Sequence, residues 1–249
     1  MWVTTEREQI PRTLQVLWGE GTRRTRGPHQ ALSLDRIVEA GIAIADADGI
    51  AALSMARLAE RLGSAPMSLY RHVASKDELL IFMMDAAPGP PPDLPAAGWR
   101  AGLETWARAL RAVYIAHPWI LQVTAGRPPL EPGQLGWLDR GLSAFDGTDL
   151  SHADRFEAAM TVLHYVRGEA QIMAILMKGG PGEGMDPIGA QEEYGELIAR
   201  FVHADRFPAL AAAVDAGIFR PDAGDDADAS FDFGVTRILD GLEKLIATS

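Results

Sequence analysis

In GSAPMSLYRHVASKDELL, residues 63–80, one methionine, one tyrosine and three bases stand close together. These side chains suit binding to a nucleic-acid duplex better than bond making. An arginine pairs bidentately with guanine O6 and N7, serine and tyrosine hydroxyls bond phosphate or a base edge, and a methionine packs on a thymine methyl. Arg71 is the candidate for the first contact, Ser68 and Tyr70 for the second, and Met67 for the third. His72 and Lys76 fall where phosphate contacts are expected, while Ser54, Ser64 and Pro66 mark the helix starts that bring the backbone close. Upstream, Arg23, Arg24 and Arg26 in GTRRTRG form a short basic run that can add phosphate contacts.

Such residues need a rigid mount. Leu34, Ile37, Val38, Gly41, Ile42 and Ala45 recur at helical spacing, with Ser33 as N-cap and Asp35 in the first turn, so a first helix is expected over 34–47. Ser54 opens a second, short helix with Leu58 and Leu62 inward, and Gly63 ends it. Pro66 suits the first turn of a third helix, whose Leu69 and Val73 give it one narrow apolar edge. Ala65 cannot cap that helix through its side chain, and Ser64 is the available substitute. Ser75 and Glu78 form a capping box for a fourth helix bearing Leu79, Leu80, Phe82 and Met83. Two short helices across a glycine turn, the second largely exposed, describe a helix-turn-helix.

LSLDRIVEAGIAIADADG, LSMARLAERLG and APMSLYRHVASKDELL, spanning 32–85, resemble the DNA-binding domain of the TetR family of bacterial transcriptional repressors. LWGEGTRRTRG is similar to the basic arm of members whose N-terminus also touches DNA. The resemblance implies double-stranded DNA with a palindromic operator as partner, a homodimer, and a variable C-terminal half that binds a small-molecule inducer. It implies no cofactor.

APGPPPDLPAAG, 87–98, cannot continue a helix and sets the domain boundary. The expected organisation is an arm over 1–32, a helix-turn-helix domain over 33–86, a linker over 87–98 and a helical domain over 99–249. Helices are expected over 99–115, 119–125, 132–145, 152–178, 189–203, 206–215 and 228–247, and no series of alternating strands appears, so the fold class is all-α. KGGPGEGMDPIG, 178–189, lacks a preceding strand and the Gly-Lys-Ser/Thr ending of a phosphate loop, and reads as a connection.

On the helix expected over 152–178, Phe156, Met160, Leu163, Val166, Ala170, Met173 and Met177 form a wide apolar set interrupted by His164, Arg167, Glu169 and Gln171. A pocket for an apolar or amphipathic compound could be lined by Met160, His164, Arg167 and Met173 together with Trp106, Tyr114, His117 and Trp119; each residue suits an ordinary core equally well. QVTAGRPPL resembles a stretch of tetracycline repressors onto which Arg127 and Pro128 fall. Val123 stands where those proteins have a metal-binding histidine, which argues against a metal-chelated tetracycline and against a metal site. On the last helix Gly234, Ile238, Gly241 and Leu245 form a stripe beside Phe231, Val235, Leu242 and Ile246. Two mid-helix glycines invite close approach of another helix; paired with the helix over 152–178, this one would give a four-helix dimer interface, as the family resemblance implies.

Composition agrees. The net charge is −11, yet residues 1–85 hold ten Lys and Arg against eleven Asp and Glu, leaving −10 on the rest. That acidity repels DNA and excludes a purely architectural DNA protein. There is no cysteine, no secretory leader and no long apolar run, so a soluble cytoplasmic protein is expected. The sequence lacks HExxH, Gly-x-Ser-x-Gly and a dinucleotide-binding glycine motif, which leaves an enzyme as a remote alternative. Control by a partner protein, or by no ligand, is the nearer alternative.

Overall fold

The computed structural model describes residues 10–19, 32–123, 128–177, 187–219 and 228–248, and side chains throughout these except at 176–177 and 187–191. The described elements are helical throughout: α1 Arg12–Leu17, α2 Leu34–Asp48, α3 Met55–Arg61, α4 Pro66–Leu69, α5 Lys76–Ala86, α6 Trp99–Ala116, α7 Pro132–Ser143, α8 His152–Met177, α9 Pro187–Phe201, α10 Pro208–Asp215 and α11 Ala229–Ala247. No described helix is long and apolar enough to cross a membrane. The segment expected as a helix over 119–125 is instead a 3-10 turn, Pro118–Gln122. It starts at a proline directly after His117, whose φ of −128° and ψ of 64° end α6.

The chain forms two compact units, residues 1–160 and 161–248. The division falls inside α8 rather than at the proline-rich 87–98, so helices on both sides of that stretch belong to the first unit. Its core includes Ile37, Leu58, Leu69, Leu79 and Met83 from the helix-turn-helix side, and Leu103, Trp106, Trp119 and Phe145 from beyond the linker. Gly41 lets α2 lie directly against Met83 of α5, because an added Cβ would stand 2.9 Å from the Met83 sulfur. In the second unit Val162, Val166 and Ala170 of α8 and Phe231, Val235 and Leu239 of α11 are buried.

α1 corrects the expectation that 1–32 is simply an arm. It packs on α5 with Leu14 buried, and Arg12 Nη1 donates to Glu78 Oε1 at 2.7 Å.

Candidate DNA-binding site

α2, α3 and α5 each start at the serine cap read from sequence. The Ser33, Ser54 and Ser75 hydroxyls accept the backbone N–H of Arg36, Arg57 and Glu78 at 3.3, 3.2 and 3.1 Å. Arg57 then pairs with Asp48 at 2.7 Å, bracing α3 against the end of α2. α3 terminates in a Schellman turn: Gly63 N–H donates to Glu60 O and Ser64 N–H to Ala59 O, with Gly63 at φ 62°. A Cβ would strain that left-handed backbone.

The turn also corrects two readings of Ser64. Ala65 is the N-cap of α4, which has no side-chain cap bond, and the Ser64 Oγ is buried without a hydrogen-bond partner. Ser64 neither caps α4 nor offers its hydroxyl to DNA. Pro66 at the first helical position removes one N–H that would otherwise go unpaired there.

α4 itself is one turn long, extended by bonds from His72 N–H and Val73 N–H to Leu69 O. Leu69 and Val73 are both 0% exposed, whereas Met67 is 73% and Tyr70 45% exposed. Pro66 and Arg71 are exposed, Ser68, His72 and Lys76 are half-buried, and Ser54, at the head of α3, is exposed. The arrangement is a small polar and aromatic face clamped from behind by two fully buried aliphatics. Arg23, Arg24 and Arg26 lie outside the described residues, as does Arg127.

Glu78 is the residue whose importance the sequence understated. Its carboxylate reaches back one residue farther than a simple capping box and accepts Ala74 N–H at 2.5 Å, while Arg12 and the Thr13 hydroxyl bond its other oxygen. One acid thereby fixes the turn between α4 and α5.

Several residues read as effector contacts also have partners within the chain. Trp106 is 1% exposed and donates Nε1–H to Trp137 O at 2.8 Å, and Tyr114 is buried. His117 Nδ1 and Trp119 Nε1 both bond Asp46 Oδ1, at 2.8 and 2.7 Å, tying the start of the 3-10 turn to α2. Asp46→Ala would leave the buried Trp119 N–H without an acceptor and is expected to lower stability by about 1 to 3 kcal/mol. Urea unfolding reads this directly, and an unshifted midpoint would show that the clamp is energetically idle. On α8, Met160, Arg167 and Met173 are half-buried and His164 is exposed, while Phe156, expected inward, is 42% exposed. An open hollow of about 440 Å³ lies between α7 and the start of α8, lined in part by Asp139, Leu142, Asp146, His152 and Phe156. None of the residues read as effector contacts lines it.

On α11 the two glycines differ. A Cβ at Gly234 would collide with Tyr165 of the same chain, so its close approach is to α8 within one molecule and not to a second copy. Gly241 meets nothing within 4 Å, Ile238 is half-buried and Leu245 is 40% exposed.

A capped, glycine-turned helix pair joined to a larger helical body defines a helix-turn-helix regulator. Residues 37–82 match the model of bacterial regulatory proteins of the tetR family, and residues 91–246 match the tetracyclin repressor-like C-terminal domain. The chain belongs to the TetR family. It is 38% identical over 241 residues to the HTH-type transcriptional repressor DrrR1 of Streptomyces coeruleorubidus, covering 96% of this chain and 87% of that protein. It resembles the Streptomyces coelicolor TetR family protein ActR in complex with actinorhodin at a TM-score of 0.68 and 27% identity, over 86% of this chain and 98% of ActR. BioQ bound to its double-stranded DNA operator resembles it at a TM-score of 0.50 and 29% identity, over 57% of this chain and 87% of BioQ.

Proposed function

We propose that this protein is a cytoplasmic repressor that binds a palindromic operator as a homodimer and leaves it when a small apolar or amphipathic molecule binds the helical part beyond 99. The observation that carries the DNA reading is the α4 face, with Met67 and Tyr70 exposed directly over the fully buried Leu69 and Val73. Arg71 reads a guanine; Ser54, Ser68, His72 and Lys76 position the backbone; the basic arm with Arg23, Arg24 and Arg26 adds phosphate contacts. The linker over 87–98 separates the part that reads DNA from the part that senses the ligand. A relative named as a repressor, a DNA-bound structural neighbour and a ligand-bound one support this reading.

Arg71→Ala is expected to weaken specific binding by about 1 to 3 kcal/mol and to relax preference at one base pair. Binding to operator variants at fixed salt tests it; equal loss on every sequence would reduce Arg71 to a phosphate contact.

The effector reading rests on α8, where Met160, His164, Arg167 and Met173 lie outside its most buried positions. Flexible thioethers beside polar groups suit a pocket that accepts varied apolar compounds.

The dimer reading rests on α11, where Gly241 and Leu245 are exposed and Phe233 is 69% exposed. Gly241→Leu is expected to yield a monomer with its helix-turn-helix still folded, because the side chain enters space that a second helix would occupy. Sedimentation gives the mass, and a variant that stays dimeric would place the interface elsewhere.

A further inference from the structure

α1 and α5 are two struts that share both ends. At one end Arg12 Nη1 donates to Glu78 Oε1 at 2.7 Å and Thr13 Oγ1 lies 3.5 Å from the same oxygen, beside the α4–α5 turn. At the other end Trp18 Nε1–H donates to Leu130 O at 3.0 Å, three residues before Gly133, whose N–H donates to Asp85 Oδ1 of α5 at 2.6 Å. From Glu78 to Asp85 the α5 axis runs about 10 Å, and from Arg12 to Trp18 α1 runs about 9 Å. α2 holds the middle of α5, with Met83 lying against Gly41, and Asp85 pins its C-terminal end. α1 adds a second strut between the two ends and resists rotation of α5 about that packed middle, as a brace stiffens a bar.

We infer that α1 is a brace that sets the angle of α5, and with it the placement of the α4 face, and that Arg12 and Trp18 are positioning residues for DNA binding without touching DNA. The inference rests on the operator reading for its functional consequence but not for its mechanics. The ends of the brace are unlike: Leu14 and Thr13 are buried against the body, whereas Trp18 is 53% exposed and its hold on Leu130 is one bond at the surface. Trp18→Ala therefore detaches one end without emptying the core.

The absence of cysteine permits a direct test in the full chain. Glu60→Cys on α3 and Asp139→Cys on α7, both exposed positions, would carry nitroxide labels, diluted with unlabelled protein so that only distances within one chain are read. The distance distribution is expected to be narrow and to broaden when Trp18→Ala or Arg12→Ala is added, with the thermal midpoint held within a few degrees. An unchanged distribution in both variants overturns the brace. In parallel, the unlabelled chain selects its duplex from a randomised library, and affinity is compared with the same duplex carrying one extra base pair between half-sites. The penalty for that insertion is expected to fall about fivefold in Trp18→Ala, a coupling of ordinary size. A broadened distribution with an unchanged penalty overturns the positioning role. A wild-type chain that selects no two-part site sinks the operator reading instead, and the label distances still decide the brace.

Discussion

Glu78→Ala is expected to loosen the helix-turn-helix enough to abolish specific DNA binding, at a cost of about 2 to 3 kcal/mol. The carboxylate is 8% exposed and serves Ala74 N–H, Arg12 and Thr13 together. Alanine leaves the Ala74 N–H and the buried Thr13 hydroxyl without that acceptor. Arg12, 55% exposed, returns to water and contributes little to the loss. The consequence for DNA follows from position: Ala74 lies between Val73, which anchors the α4 face, and the N-terminus of α5. Glu78→Gln keeps an acceptor for Ala74 and is expected to lose less than half as much. Urea unfolding and fixed-salt binding measured on both variants check the ranking; Glu78→Ala unfolding at the wild-type midpoint would show that the turn holds without the acid.

The second large effect is expected at Gly133. An added Cβ there would stand 2.5 Å from Asp85 O and 2.7 Å from Asp85 Oδ1, closer than side chains approach backbone. Pro132 fixes the chain just ahead, so relief must come from parting the end of α5 and the start of α7. Gly133→Ala should lose about 2 to 4 kcal/mol, combining overpacking with the broken Gly133–Asp85 bond. A crystal structure or a melting curve indistinguishable from wild type would refute this.

Asp85→Asn is the informative contrast. Burial, and to a lesser degree the Glu131 charge, push the Asp85 carboxyl above its usual range, against the lowering effect of the Gly133 and Gln134 N–H groups. A raised folded-state value means the folded chain holds this proton more firmly than the unfolded chain. The penalty for ionising Asp85 is thus absent at low pH and grows as pH rises through the carboxylate range to the raised value. Asparagine retains the Oδ1 acceptor without that charge, so Asp85→Asn should be harmless or slightly stabilising at neutral pH.

The helix-turn-helix was legible because its determinants are local. Ser33, Ser54 and Ser75 each act within three residues, and Gly63 closes a turn within four. α1 was not legible: six residues form no stable helix alone, and the bond that secures it reaches Glu78, 66 residues away. The same distance problem hid the Asp46 clamp, which bonds both His117 and Trp119 from more than seventy residues away. On α8 the large apolar residues drew attention, yet the fully buried positions include Ala158, Ala159 and Ala170, small residues that carry little signal in a sequence. At Gly234 and Gly241 spacing predicts close approach but is silent on whose helix approaches.

Tyr165 answers that at Gly234. Its hydroxyl bonds Ser230 O and Phe231 O, each at 3.2 Å, and occupies the place a side chain at 234 would take. This makes the pair a key in a lock with one setting. Sliding α11 by one turn, about 5.4 Å, would bring Ser230 or Ile238 under the hydroxyl, and neither leaves the gap that glycine does. The Tyr165–Gly234 contact therefore opposes a one-turn slide of α11 along α8.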